Sequence, residues 1–126
     1  MQETEAYFGA WVMIASAFLL GGAIMWSTHA AMRGGLQPNP AAGIRISSTL
    51  RDGNAWRAGH EAAWPVVRVV GAASIVLGLI GILLVLLGQP LVAVGVACVP
   101  VVLVLASLVP TIRRARAAAE AAPLGD

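Results

Sequence analysis

The chain has 126 residues, 59% of them hydrophobic and only 11% charged, with a mean hydropathy of +0.83. Soluble domains carry about 25% charged residues, so this composition excludes an ordinary water-soluble globular protein. The net charge of +2 is too small to indicate a nucleic-acid surface, despite a pI near 9.5.

Crossing the ~30 Å hydrocarbon core takes about 20 mostly apolar residues as a helix. Three stretches qualify: residues 6–31, 66–87 and 91–112. Lipid offers the backbone no hydrogen-bond partners, so each must form a helix despite its valines. A barrel strand would alternate polar and apolar residues, which these runs do not. The expected fold is all-α: one integral membrane domain over residues 1–126 with three transmembrane helices. An ordered cytoplasmic loop and an amphipathic helix, within the polar stretch 39–68, would join spans one and two.

The first span opens with Tyr7, Phe8 and Trp11 and closes with Trp26 and His29. Trp11 and Trp26 stand about 22 Å apart at the helical rise, which suits rings at the two interfaces. Gly21 and Gly22 lie between them, either for close helix approach or as a soft point. The amino terminus lacks the basic region of a signal peptide, and its apolar run is too long for one, so a retained span is expected.

Arg33, Gly34 and Gly35 should end this helix, because glycine favours a C-terminal stop. Pro38 and Pro40 then bias their preceding residues away from helix. Gly43 to Thr49 reads as a short irregular segment, and Asp52 as the cap of a new helix. Trp56, His60 and Trp64 recur every four residues and so share one side. Arg57 and Glu61 are an i,i+4 pair on an adjacent side, in the less favourable order. Pro65 should bend the chain where it enters the bilayer, with Arg68 snorkelling outward.

The second span carries Gly71, Ser74, Gly78 and Gly81, a pattern suited to close packing. Gly88-Gln89-Pro90 allows a tight return, and Pro100 and Pro110 predict kinks in the third span. Cys98, alone of its kind, reads as a small core residue. The tail from Arg113 begins helical and frays after Pro123. All eight basic residues are arginines. They lie between spans one and two or after span three, which predicts N-terminus out and C-terminus in.

The order Asn39-Pro40-x-x-Gly43-Ile44-Arg45, then Thr49, Trp56 and His60, resembles the SdpI family of small bacterial multi-pass membrane proteins. The likeness covers most of the chain. It departs at Ile46, where the pattern favours threonine, and at Ser47-Ser48. The resemblance implies a bacterial cell-membrane protein with a role like immunity to membrane-active peptides, or sensing of them. It marks Asn39, Gly43, Arg45, Thr49, Trp56 and His60 as the motif that would meet a partner.

Each of these residues also has a plainer reading. Arg45 could bind a carboxylate, a phosphate headgroup or merely loop carbonyls. His60 could respond to pH, or hydrogen-bond to Asn39 or Thr49. Trp56 and Trp64 could anchor at the interface or stack on a ligand. Asn39 could turn the loop or contact a partner.

Two histidines and few acidic groups make a metal site unexpected, and no cofactor is expected. No catalytic constellation is visible, so no enzyme is expected. The partners expected are the lipid bilayer and a peptide or membrane protein; the oligomeric state is open. The alternatives are a structural accessory subunit of a larger membrane complex and, ranked last, a small transporter. Ser16, Ser74 and Ser107 are too sparse to line a pore in one chain.

Overall fold

A computed structural model describes residues 2–125. Their regular structure is helical: α1 (Gln2–Met32), a 3-10 turn (Thr49–Arg51), α2 (Gly53–Leu86) and α3 (Pro90–Ala121). All three α-helices are long and apolar enough to cross a membrane. α1 alone would extend about 46 Å at 1.5 Å per residue, beyond the ~30 Å core. The helices therefore outrun the apolar stretches that define the spans.

Two compact units are distinguished along the chain. The first takes the stretch up to Ala23 together with Val70–Ala106. Its core is made of small side chains, with Ala10, Ala17, Ala93 and Ala97 buried beside Ile14 and Val85. Large side chains face outward instead, including Leu19, Leu79, Leu86 and Leu105. A water-soluble bundle would reverse this arrangement. Lipid is as apolar as leucine, so membrane helices pack through small residues that let backbones approach.

Gly21 illustrates the point. A Cβ there would stand 2.8 Å from the Gly71 carbonyl oxygen and 3.0 Å from the Ser74 Cβ. Gly22 meets nothing within 4 Å, so the two glycines differ in role. Ser74 is buried and its hydroxyl donates to the Val70 carbonyl at 2.8 Å, which satisfies it within its own helix. Cys98 is half-buried in α3.

The α2–α3 return is a glycine-terminated helix end. Gly88 has φ +73°, its N–H donates to Val85, and the Gln89 N–H donates to Leu84. That pattern satisfies carbonyls the helix end would otherwise orphan. Pro90 then opens α3, where a missing N–H costs nothing.

The second unit takes Ile24–Val69 and the stretch from Ser107 onward. Here α1 ends as expected, with Gly34 at φ +82° and the Gly35 N–H donating to Ala30 at 2.9 Å. Pro65 lies inside α2, which runs on through it. The amphipathic turn leads into the second span as one continuous helix. α3 likewise continues through Pro100 and Pro110 to Ala121. In this unit Ala63, Val67 and Ala115 form a buried cluster against Ile24, Ile44, Ile46 and Trp64.

Candidate functional site

The connection from α1 to α2 folds back on its own backbone. Asn39 makes the first turn: its Oδ1 accepts from the N–H groups of Ala41 (2.9 Å) and Ala42 (2.8 Å). Its Nδ2 donates to the Gln37 carbonyl at 2.8 Å. A short amide acceptor two and three residues ahead mimics a backbone turn, which is why asparagine suits this position.

Gly43 follows with φ +97°. A Cβ at this position would lie 2.7 Å from His60 Nε2 and 2.8 Å from Trp56 Cη2. Both the backbone conformation and the space therefore demand glycine.

The peptide groups of Ile44 are held by two motif side chains. The Ile44 N–H donates to His60 Nε2 at 2.8 Å, and its carbonyl accepts from the Thr49 hydroxyl at 2.5 Å. Thr49 Oγ1 also accepts from the Ile46 N–H at 3.2 Å. Because His60 Nε2 is an acceptor, the ring proton sits on Nδ1 and is donated to the Trp56 carbonyl at 2.7 Å. Both imidazole nitrogens are thus engaged by backbone groups.

Trp56 Nε1 donates to the Leu36 carbonyl at 2.8 Å, and its ring centroid lies 4.2 Å from that of His60. Thr49, Trp56 and His60 are all essentially buried. Trp56 is therefore neither an interfacial anchor nor an open stacking platform. It ties α2 to the connection. Trp64 is only half-buried and sits beside His29, with ring centroids 5.3 Å apart. Among the described residues no buried side-chain polar atom lacks a hydrogen-bond partner.

Arg45 behaves differently. Ile44 and Ile46 turn inward to the Ala63–Val67–Ala115 cluster, and Arg45 between them is exposed. One of its guanidinium nitrogens donates to the Pro40 carbonyl. No described carboxylate pairs with the guanidinium. Of the six motif residues, Arg45 alone presents a charge.

Several contacts were not legible in the motif. Arg51 pairs with Asp52 at 2.7 Å and also donates to the carbonyls of Ala119, Ala122 and Pro123. Ala119 lies in the last turn of α3 and Ala122 and Pro123 just past it, so this cation complements the negative end of that helix. Asn54 donates to Pro123, and the Gly125 N–H donates to Asp52.

Asp52 also caps α2, accepting the Ala55 N–H at 2.9 Å. The Arg51 guanidinium, with help from that N–H, holds its carboxyl well below the usual carboxylate range. The tail expected to fray after Pro123 is clasped instead. Arg57 and Glu61 are both exposed and form no ion pair, in keeping with their unfavourable order. Gly59 lets α3 approach: a Cβ there would lie 2.6 Å from Thr49 Cγ2 and 3.2 Å from the Ala115 carbonyl oxygen. A glycine one position before His60 in a helix was its only sequence signal.

Compared with protein-family models, residues 35–112 match the one described as the SdpI/YfhL protein family. The chain belongs to the SdpI/YfhL family. The matched segment contains all six residues of the motif and the whole of α2. SdpI/YfhL membership and the three apolar helices make this a multi-pass membrane protein, and support an immunity-type role in general terms. No curated protein and no solved structure matches the chain.

Proposed function

We propose that this SdpI/YfhL protein is a non-enzymatic immunity protein that recognises a membrane-active peptide, protecting the cell against it or sensing it. Arg45 makes the contact. The observation that carries this reading is the division of labour within the motif. Asn39, Gly43, Thr49, Trp56 and His60 are engaged in holding the connection, while the Arg45 guanidinium stands exposed on it. A planar fork with free donors suits a peptide carboxylate or backbone carbonyls. In this reading the arginine-bearing segments face the cytoplasm, as the positive-inside bias requires.

The test is tolerance to the peptide in cells carrying Arg45→Ala, with protein abundance and insertion measured in parallel. Tolerance should be lost while abundance stays normal; retained tolerance refutes the role. A cysteine placed at Ser47 should resist an impermeant thiol reagent added to intact cells, and labelling there would reverse the orientation.

A second reading, an accessory subunit of a larger membrane complex, draws on Gly22 and Gly95. Neither has an atom within 4 Å of where a Cβ would stand, which leaves bare helix surface. Gentle detergent extraction separates the two readings. A stoichiometric partner favours the subunit, and a lone chain or homo-oligomer favours the immunity protein.

A further inference from the structure

A hollow of about 230 Å³ lies between the end of α1 and the first turn of α2. Its walls include Gly34, Gln37, Gly53, Asn54, Trp56 and Arg57. Pockets that enclose drug-sized ligands run to roughly 300–1,000 Å³, so this one suits a smaller group. No aspartate or glutamate lines it. Arg57 is exposed and pairs with no described carboxylate.

The Arg57 guanidinium lies over the end of α1. A Cβ on Gly34 would lie 3.0 Å from the Arg57 Nη2 atom, so the guanidinium rests over a residue without a side chain. The positive φ of Gly34 is the helix stop itself, which ties the opening of the hollow to the turn that ends α1. Gln37 Nε2 donates back to the Gly34 carbonyl, and Asn54 Nδ2 donates to Pro123. Trp56 forms a rigid wall, since its indole N–H is fixed to Leu36.

We propose that this hollow binds a single phosphate-type anion, with the Arg57 guanidinium as its charged ligand and Gln37 and Asn54 as polar neighbours. The fork of Arg57 can make two parallel bonds to one tetrahedral oxyanion, which a lone ammonium cannot. An acidic phospholipid headgroup and free inorganic phosphate share that chemistry. The site is separate from Arg45 and does not depend on peptide recognition.

The test is calorimetric titration of the purified full chain in neutral detergent. Three probes are used: inorganic phosphate, short-chain phosphatidylglycerol, and short-chain phosphatidylcholine as the zwitterionic control. Saturable binding of an anionic probe is expected. Arg57→Gln should weaken it by about tenfold or more, the scale of one lost charge-assisted contact. Arg68→Gln and Arg114→Gln, both at exposed positions, should leave it within about twofold, as expected for charges outside the site.

Binding of phosphatidylglycerol alone identifies a headgroup site, and binding of both anionic probes identifies a phosphate site. Absence of saturable binding overturns the proposal. So does binding of phosphatidylcholine as tight as that of the anionic probes, or an equal loss in all three arginine variants. If Arg57→Gln proves unfolded by helicity, Gln37→Leu removes a polar wall at an exposed position. It should weaken binding, and unchanged affinity there counts against the site.

Discussion

His60 Nε2 and the amide nitrogen of Ile44 stand 2.8 Å apart, and the bond can form only while Nε2 carries a lone pair. Through it a side chain of α2 fixes the peptide that begins the Ile44–Ile46 strand of contacts. Thr49 holds the carbonyl of the next peptide, on the other side of the Ile44 Cα. His60→Gln keeps an acceptor at the end of the side chain, whereas His60→Leu keeps only bulk. The leucine variant should be destabilised by about 1–3 kcal/mol, the cost of leaving buried backbone groups unsatisfied. The glutamine variant should lose less. Equilibrium unfolding in mixed micelles ranks the two, and an equal loss would remove the hydrogen bond as the cause.

Thr49→Val preserves shape and deletes the hydroxyl that serves Ile44 and Ile46. A loss of about 1–3 kcal/mol is expected, with Thr49→Ser closer to wild type. Thr49 and His60 act on one residue, so their effects should not add. The double variant Thr49→Val/His60→Leu should depart from additivity by about 0.5 kcal/mol or more. Simple additivity would show that the two bonds are independent.

Gly43→Ala should be among the most damaging small substitutions in the chain. The backbone conformation alone costs about 1–3 kcal/mol for a residue with a side chain. The added methyl must also displace His60 or Trp56. The yield of monodisperse protein and its unfolding midpoint in micelles measure the loss. A wild-type midpoint would mean that the positive φ is not required.

Asp52 gives the clasp a pH dependence with a defined sign. Its folded-state carboxyl is held below the ordinary value of 3.8, chiefly by Arg51. The unfolded chain therefore takes up the proton first as pH falls. The stabilisation is present above about pH 3.8 and is lost progressively below it. Asp52→Asn should flatten that acid limb: the variant lies below wild type at higher pH, and the two profiles converge as pH falls below about 3.8. An unchanged acid limb would assign the effect to another group.

Arg51→Gln removes the donors that hold Ala119, Ala122 and Pro123. Hydrogen exchange and proteolysis after Thr111 should accelerate while membrane insertion is unaffected. Protection of residues 119–125 as strong as in wild type would show that Asn54 and Gly125 suffice.

The three helices were legible because lipid demands long apolar stretches, and residues 69–87 carry no charge at all. The ends of α1 and the start of α2 were legible too, since Gly34 and Asp52 act locally. What could not be read were distances between residues far apart in the chain. Trp56 looked like an interfacial ring because tryptophan favours interfaces, yet the Leu36 carbonyl and Gly43 enclose it. Arg57 and Glu61 looked like a pair by spacing, but Arg57 rests over Gly34 instead. Arg51 and its carbonyl partners are separated by 68 to 72 positions, a relation no local pattern encodes.

That separation has a consequence for biogenesis. A nascent chain exposes Arg51 long before Ala119 and Pro123 are synthesised, so this edge of the fold closes last. Until α3 is threaded, the guanidinium of Arg51 must remain hydrated or borrow another acceptor. Completion of the third helix therefore closes the Arg51 contacts, and a ribosome stalled before it would leave that latch open.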